Sequence, residues 1–132
     1  MADNKATYEE VAAFLTEFKK KAIYLPTPIK YYDDRGKNKQ ALLDLEINAN
    51  QRDEYVLGLT PEDYCEGPDK NKLNSSFNDV WMFGIFIKKK STKEVLPVYI
   101  KIFITNRDNG PNFCISFHVA ERELSFPLKQ QP

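Results

Sequence analysis

The chain has one histidine, His118, near the end of the apolar run "NFCISFHVAE" (112–121), where it alternates with Cys114 and Ser116. Imidazole exchanges its proton near neutral pH, so its neighbours decide whether it works as an acid or simply packs. A second run, "VYIKIFIT" (98–105), alternates in the same way. Side chains of a strand point to opposite faces in turn, which groups Val98, Ile100, Ile102 and Ile104 on a core face and Tyr99, Lys101 and Phe103 on the other. By the same count Phe113, Ile115, Phe117 and Val119 form the core face of 113–119, leaving Cys114, Ser116 and His118 opposite. If the two strands pair with both apolar faces inward, Tyr99 lies across from His118 and Lys101 across from Ser116. A phenol, an ammonium, a hydroxyl and an imidazole on one half-exposed surface make a metal-free phosphodiester site, with His supplying a proton and Lys stabilising charge on phosphate. A polar sheet face that merely meets water would show the same alternation.

Rival chemistries lack their motifs. The sequence has no GxxxxGK[ST] or GxGxxG loop, no HExxH and no Ser in a nucleophile elbow. Asp33 and Asp34 sit in a turn-like stretch, where Asp is expected for backbone hydrogen bonding. Cys65 and Cys114 have neither disulfide-framework nor zinc-ligand spacing, so they read as reduced thiols, and no metal or cofactor is expected. Net charge is zero, which argues against non-specific coating of nucleic acid. The charges are nonetheless segregated: residues 53–69 carry six acids and no base, whereas 84–107 carry six bases and one acid. Lys88, Lys89 and Lys90 read equally as phosphate contacts or as a solvated hairpin tip. No apolar run approaches a membrane span and the start lacks a secretory pattern, so the expectation is a cytoplasmic protein with no membrane partner.

The elements that must position these residues follow from period and caps. "TYEEVAAFLTEFKKKA" (7–22) predicts an amphipathic helix with Thr7 and Glu10 as capping box. "KQALLDLEI" and "NANQRDEYVLGL" predict two short helices, the second capped by Asn48, and Thr60-Pro61 predicts a helical turn. "AIYLPTPIKYY" reads as extended and "DDRGKN" as a turn. Residues 65–79, rich in Gly, Pro, Asn and Ser, read as a surface loop. Residues 80–88, 98–105 and 113–119 predict a C-terminal antiparallel meander of three strands. The expectation is one α+β domain over 1–132, with a mainly helical part (1–57) and a sheet meander (80–119).

"GLTPEDYCEGP" (58–68), "DVWMFG" (79–84), "VYIKI" (98–102) and "CISFHVAE" (114–121), in that order, resemble the MqsR family of type II toxin–antitoxin toxins over roughly the last two-thirds of the chain. The resemblance implies a RelE-like fold, with N-terminal helices packed on a twisted antiparallel sheet. It implies an mRNA interferase, an endoribonuclease that cleaves single-stranded mRNA, free or on the ribosome, without a metal and under control of a cognate antitoxin protein. Tyr99 matches a family tyrosine implicated in the active site. His118 and Glu66 stand where the family carries lysines, and Met82 where it carries a glutamine. This set is similar to the Glu/His arrangement of some RelE-like nucleases: Glu66 accepts the 2′-hydroxyl proton, His118 protonates the leaving oxygen and Lys101 meets the phosphate. Ser116, Arg35 and Lys37 are further substrate-binding candidates, and Trp81 is a candidate for stacking a base unless it is core. The alternative is a catalytically inactive RelE-like binding module that kept the scaffold and lost the lysines.

Overall fold

The computed structural model describes residues 5–23, 29–33, 36–74, 76–106 and 110–129. The first helix, α1 (Tyr8–Ile23), starts where Thr7 and Glu10 cap each other at 2.8 and 3.1 Å, and it buries Val11, Leu15, Phe18 and Ala22 along one stripe. Helices α2 (Gly36–Leu45) and α3 (Ala49–Leu57) follow, the latter entered through a reciprocal Asn48–Gln51 capping box. A single 3-10 turn, Pro61–Asp63, leads into the sheet.

Five strands, β1 (Ile29–Tyr31), β2 (Tyr64–Asp69), β3 (Val80–Lys88), β4 (Val95–Phe103) and β5 (Asn112–Val119), make one sheet in the order β1-β5-β4-β3-β2. The class is α+β, and the β3-β4-β5 meander is antiparallel as expected. Two expectations are corrected. The sheet is mixed rather than antiparallel, because the short β1 joins β5 in parallel. The start of the supposed 65–79 loop is strand β2. Its composition misleads because Gly67, at φ 108 and with Val80 O only 2.9 Å from where a Cβ would stand, accommodates an irregularity between Glu66 and Asp69 that only glycine tolerates.

Across the meander, Tyr99 lies opposite His118 and Lys101 opposite Ser116, the register that alternation required. Beyond that rung a bulge intervenes, so Ile102 pairs with Cys114 and Ile115 has no opposite number. The bulge reverses the expected faces at the start of β5. Cys114 belongs to the main core with Ile102, whereas Phe113 and Ile115 pack on the other side. Beyond the end of β1, Asn38 of α2 serves the β5 backbone. Its amide donates to the carbonyls of Ile115 (2.8 Å) and Tyr32 (2.9 Å), and its oxygen accepts from the Phe117 N–H (3.1 Å). Buried backbone groups must find partners, and here a side chain provides them.

The helices cover one face of the sheet. Val11, Leu15, Phe18, Ala41, Leu45 and Val56 pack there on Phe83, Ile87, Val98, Ile100, Ile102 and Phe117. At one edge of this layer Arg52 binds Asp33 with both guanidinium nitrogens, at 2.9 and 3.1 Å, and lies 3.5 Å over the Tyr31 ring. The opposite face carries a smaller cluster of Val80, Met82, Phe103 and Ile115, with Phe77 stacked on Phe103. The C-terminal tail, 120–129, crosses this second face at Gly84, where an added Cβ would stand 2.7 Å from Leu124 and 3.2 Å from the Phe126 ring. Among the described residues no helix is long and apolar enough to cross a membrane.

Candidate functional site

On the tail-covered face two rungs of the sheet, separated by the Phe83–Ile100–Phe117 rung that faces the helices, carry the candidate residues. One runs Glu66–Met82–Lys101–Ser116 from β2 to β5, and the other runs Gly84–Tyr99–His118. Glycine on the second rung matters, because its missing side chain lets the tail come down on the sheet. Between tail and sheet lies a cleft of about 410 Å³ lined by Cys65, Glu66, Tyr99, His118, Glu121, Arg122, Glu123 and Ser125, among others.

Tyr99 and His118 face each other with ring centroids 5.7 Å apart. His118 Nδ1 lies 3.0 Å from its neighbour's carbonyl, Val119 O. A carbonyl only accepts, so Nδ1 carries the hydrogen and Nε2 is the nitrogen left to exchange a proton. Burial, followed by the negative charge of Glu66, pushes the Tyr99 phenol up to about 12. It is therefore a neutral hydrogen-bond donor near pH 7. Burial together with Glu66 and Asp63 also pushes the Cys65 thiol up to about 12, the opposite of what a nucleophilic thiolate needs.

The wall opposite the sheet is the tail. Glu121 accepts a 2.6 Å hydrogen bond from Lys37 of α2, and this partner holds its carboxyl below the usual range, with smaller contributions from His118 and Arg122. The pair is about two-thirds exposed. On the far side of it lies a second, shallower cleft of about 510 Å³, which His118 and Glu121 share with Lys37, Gln40 and Asp44. His118 thus stands at the divide between two clefts.

Comparison of the chain with protein-family models, with curated proteins and with solved structures found no match.

Of the residues picked from the sequence, Glu66, Tyr99 and His118 line the cleft between tail and sheet, and Lys37 reaches its border through Glu121. Lys101 shares the face but not the lining, and Ser116, 7% exposed, is packed into the sheet. Trp81, half-buried, stacks on Phe14 at 4.5 Å and packs against the core on the helix-covered side, away from the cleft that holds His118. Arg35 lies outside the described residues. Sequence reasoning missed Arg122, the one guanidinium among the described residues of the lining, and with it Glu121, Glu123 and Ser125. "AERELS" (120–125) has no period, so nothing in it signals that it folds back over the sheet. Among the described residues no group of three or more His, Cys, Asp or Glu is placed to hold a metal ion.

The arrangement offers a carboxylate, an exchangeable imidazole nitrogen, a neutral phenol and a guanidinium around one cleft. These groups suffice for proton transfer at both ends of a phosphodiester, with donors for its non-bridging oxygens.

Proposed function

We propose that the chain is a metal-independent endoribonuclease with a RelE-like fold, a toxin-like mRNA interferase of the MqsR kind. In this reading it works in the cytoplasm on single-stranded mRNA, free or on the ribosome, and a cognate antitoxin protein restrains it. The observation that carries the reading is the convergence of Glu66, Tyr99, His118 and Arg122 on one cleft. Glu66 takes the proton of the 2′-hydroxyl, whose oxygen attacks the adjacent phosphorus. His118, protonated at Nε2, delivers its proton to the departing 5′-oxygen. The products are a 2′,3′-cyclic phosphate and a 5′-hydroxyl end, and the substrate itself supplies the nucleophile. Tyr99 donates to a non-bridging oxygen, Arg122 neutralises the phosphate, and Lys101 adds positive potential from the other rung.

One observation favours a second reading. Glu66, Glu121 and Glu123 outnumber Arg122 in the lining, which suits a binding module that no longer turns over RNA. The two readings separate in one assay. Defined single-stranded RNA is incubated in chelator, alone and in a translating extract, with the native chain, His118→Ala and Glu66→Gln. Cleavage by the native chain alone, leaving 2′,3′-cyclic ends, supports the nuclease. Absence of cleavage in both settings supports the binding module, and 3′-hydroxyl ends would remove the substrate's own hydroxyl from the mechanism.

A further inference from the structure

The sheet has an edge that its own strands leave open. Pairing between β2 and β3 reaches only as far as Tyr64 opposite Phe83, and β2 is the outermost strand, so β3 beyond Phe83 has no strand on that side among the described residues. A cleft of about 470 Å³ lies along this stretch, lined by Glu54, Tyr55, Glu62, Asp63, Ile85, Phe86, Phe126 and Lys129, among others. An unpaired edge presents backbone N–H and C=O groups to any extended chain that fits beside it.

The two sides of the cleft differ in chemistry. On one side stand the carboxylates of Glu54 and Glu62, which have no salt-bridge partner among the described residues, and Asp63, which is engaged by Thr60. On the other side Phe86, 55% exposed, tilts against Phe126 at 5.9 Å. The chain's own Lys129 lies 5.8 Å over the Phe126 ring, so that ring is already covered in part and Phe86 is the exposed aromatic of this side.

We propose that this edge is a docking site for an extended segment of a partner protein in which basic and apolar side chains alternate. Alternation follows from strand addition, because successive side chains of an added strand leave on opposite sides. Cations on one side meet Glu54 and Glu62, and apolar groups on the other cover Phe86. A nucleic acid fits poorly against these carboxylates. Because the whole chain has zero net charge, attraction of a basic segment here comes from the local acids. The surface is separate from the cleft that holds His118, so the proposal stands whether or not the protein cleaves RNA.

The test uses a short labelled peptide of alternating arginine and valine, titrated into the full chain by fluorescence anisotropy. Two comparison probes accompany it, one with glutamate for arginine and one with alternate backbone amides methylated. The basic peptide should bind, the acidic one should not, and methylation should weaken binding about tenfold or more, since it removes edge hydrogen bonds while keeping every side chain. Glu54→Lys with Glu62→Lys, both at exposed positions, should weaken binding comparably while thermal melting stays native-like. Equal affinity for the methylated peptide would overturn strand addition. Unchanged affinity in the charge-reversed variant, or no binding of the basic peptide at all, would overturn the site.

Discussion

The helix-covered and tail-covered faces of the sheet are built from the same strands and do different work. On the helix side Phe83, Ile100, Ile102 and Phe117 are fully buried, and none of them lines the cleft that holds His118. On the tail side the buried apolar cluster is small, Val80, Met82, Phe103 and Ile115, and the next positions on that face of β4 and β5 are Lys101, Ser116, Tyr99 and His118. One face is closed by packing, while half of the other presents polar side chains to a cleft. Mutations should therefore separate stability from activity according to face.

The largest effect expected is on the helix side. Phe83→Ala should cost ~3–5 kcal/mol in urea unfolding through the cavity it leaves, and Ile115→Ala, in the smaller cluster, ~2–5 kcal/mol. His118→Ala should slow RNA cleavage by ~10²–10⁴-fold, the usual span for losing a general acid, with a melting temperature close to native. A His118→Ala protein as unstable as Phe83→Ala would break the distinction between the faces.

Asn38→Ala sharpens the comparison from the side. It strips partners from the buried Ile115 carbonyl and Phe117 N–H and from the half-buried Tyr32 carbonyl, and should cost ~1–3 kcal/mol in the same unfolding experiment. It should also blunt cleavage, because the backbone it steadies leads directly into His118. Full activity in Asn38→Ala would mean that the bulge does not position the imidazole.

Alkaline pH tests the burial of the cleft. Tyr99 rises from an ordinary 10.0 to about 12 and Cys65 from 9.0 to about 12, so the unfolded chain loses these protons first. Stability is therefore fully present below about pH 9 and declines as the pH rises towards 12. Tyr99→Phe should flatten part of that decline in melting temperature, while at neutral pH it should reduce cleavage only modestly, by the loss of one neutral donor. A Tyr99→Phe curve parallel to the native one would place the phenol in water. Ser116→Ala, packed within the sheet and outside the cleft lining, is expected to change cleavage least, as a rate comparison with the native chain would show.

Much of this was legible from residue types. Thr7, Glu10 and Asn48 marked helix starts that the structure contains, because a cap is a local contact between residues three apart. The Tyr99–His118 and Lys101–Ser116 register was legible because two apolar faces must both turn inward. The same arithmetic failed at Cys114, Phe113 and Ile115. An inserted residue reverses the alternation, and the side chain that makes the insertion tolerable, Asn38, is 77 residues away from Ile115. Trp81 misled for a related reason: its own strand does not say which face a helix will cover, and Phe14 decides it.

The sequence by itself determined the α+β class, the helix caps, the meander and the pairing of Tyr99 with His118, all of which rest on contacts within a turn or on strict alternation. The tertiary structure alone decided that the aperiodic tail returns across Gly84 so that Arg122 and Glu121 line one cleft with His118, and that among the described residues no strand covers β3 beyond Phe83, beside Glu54 and Glu62. Such placements depend on packing between segments far apart in the chain, and no local period records them.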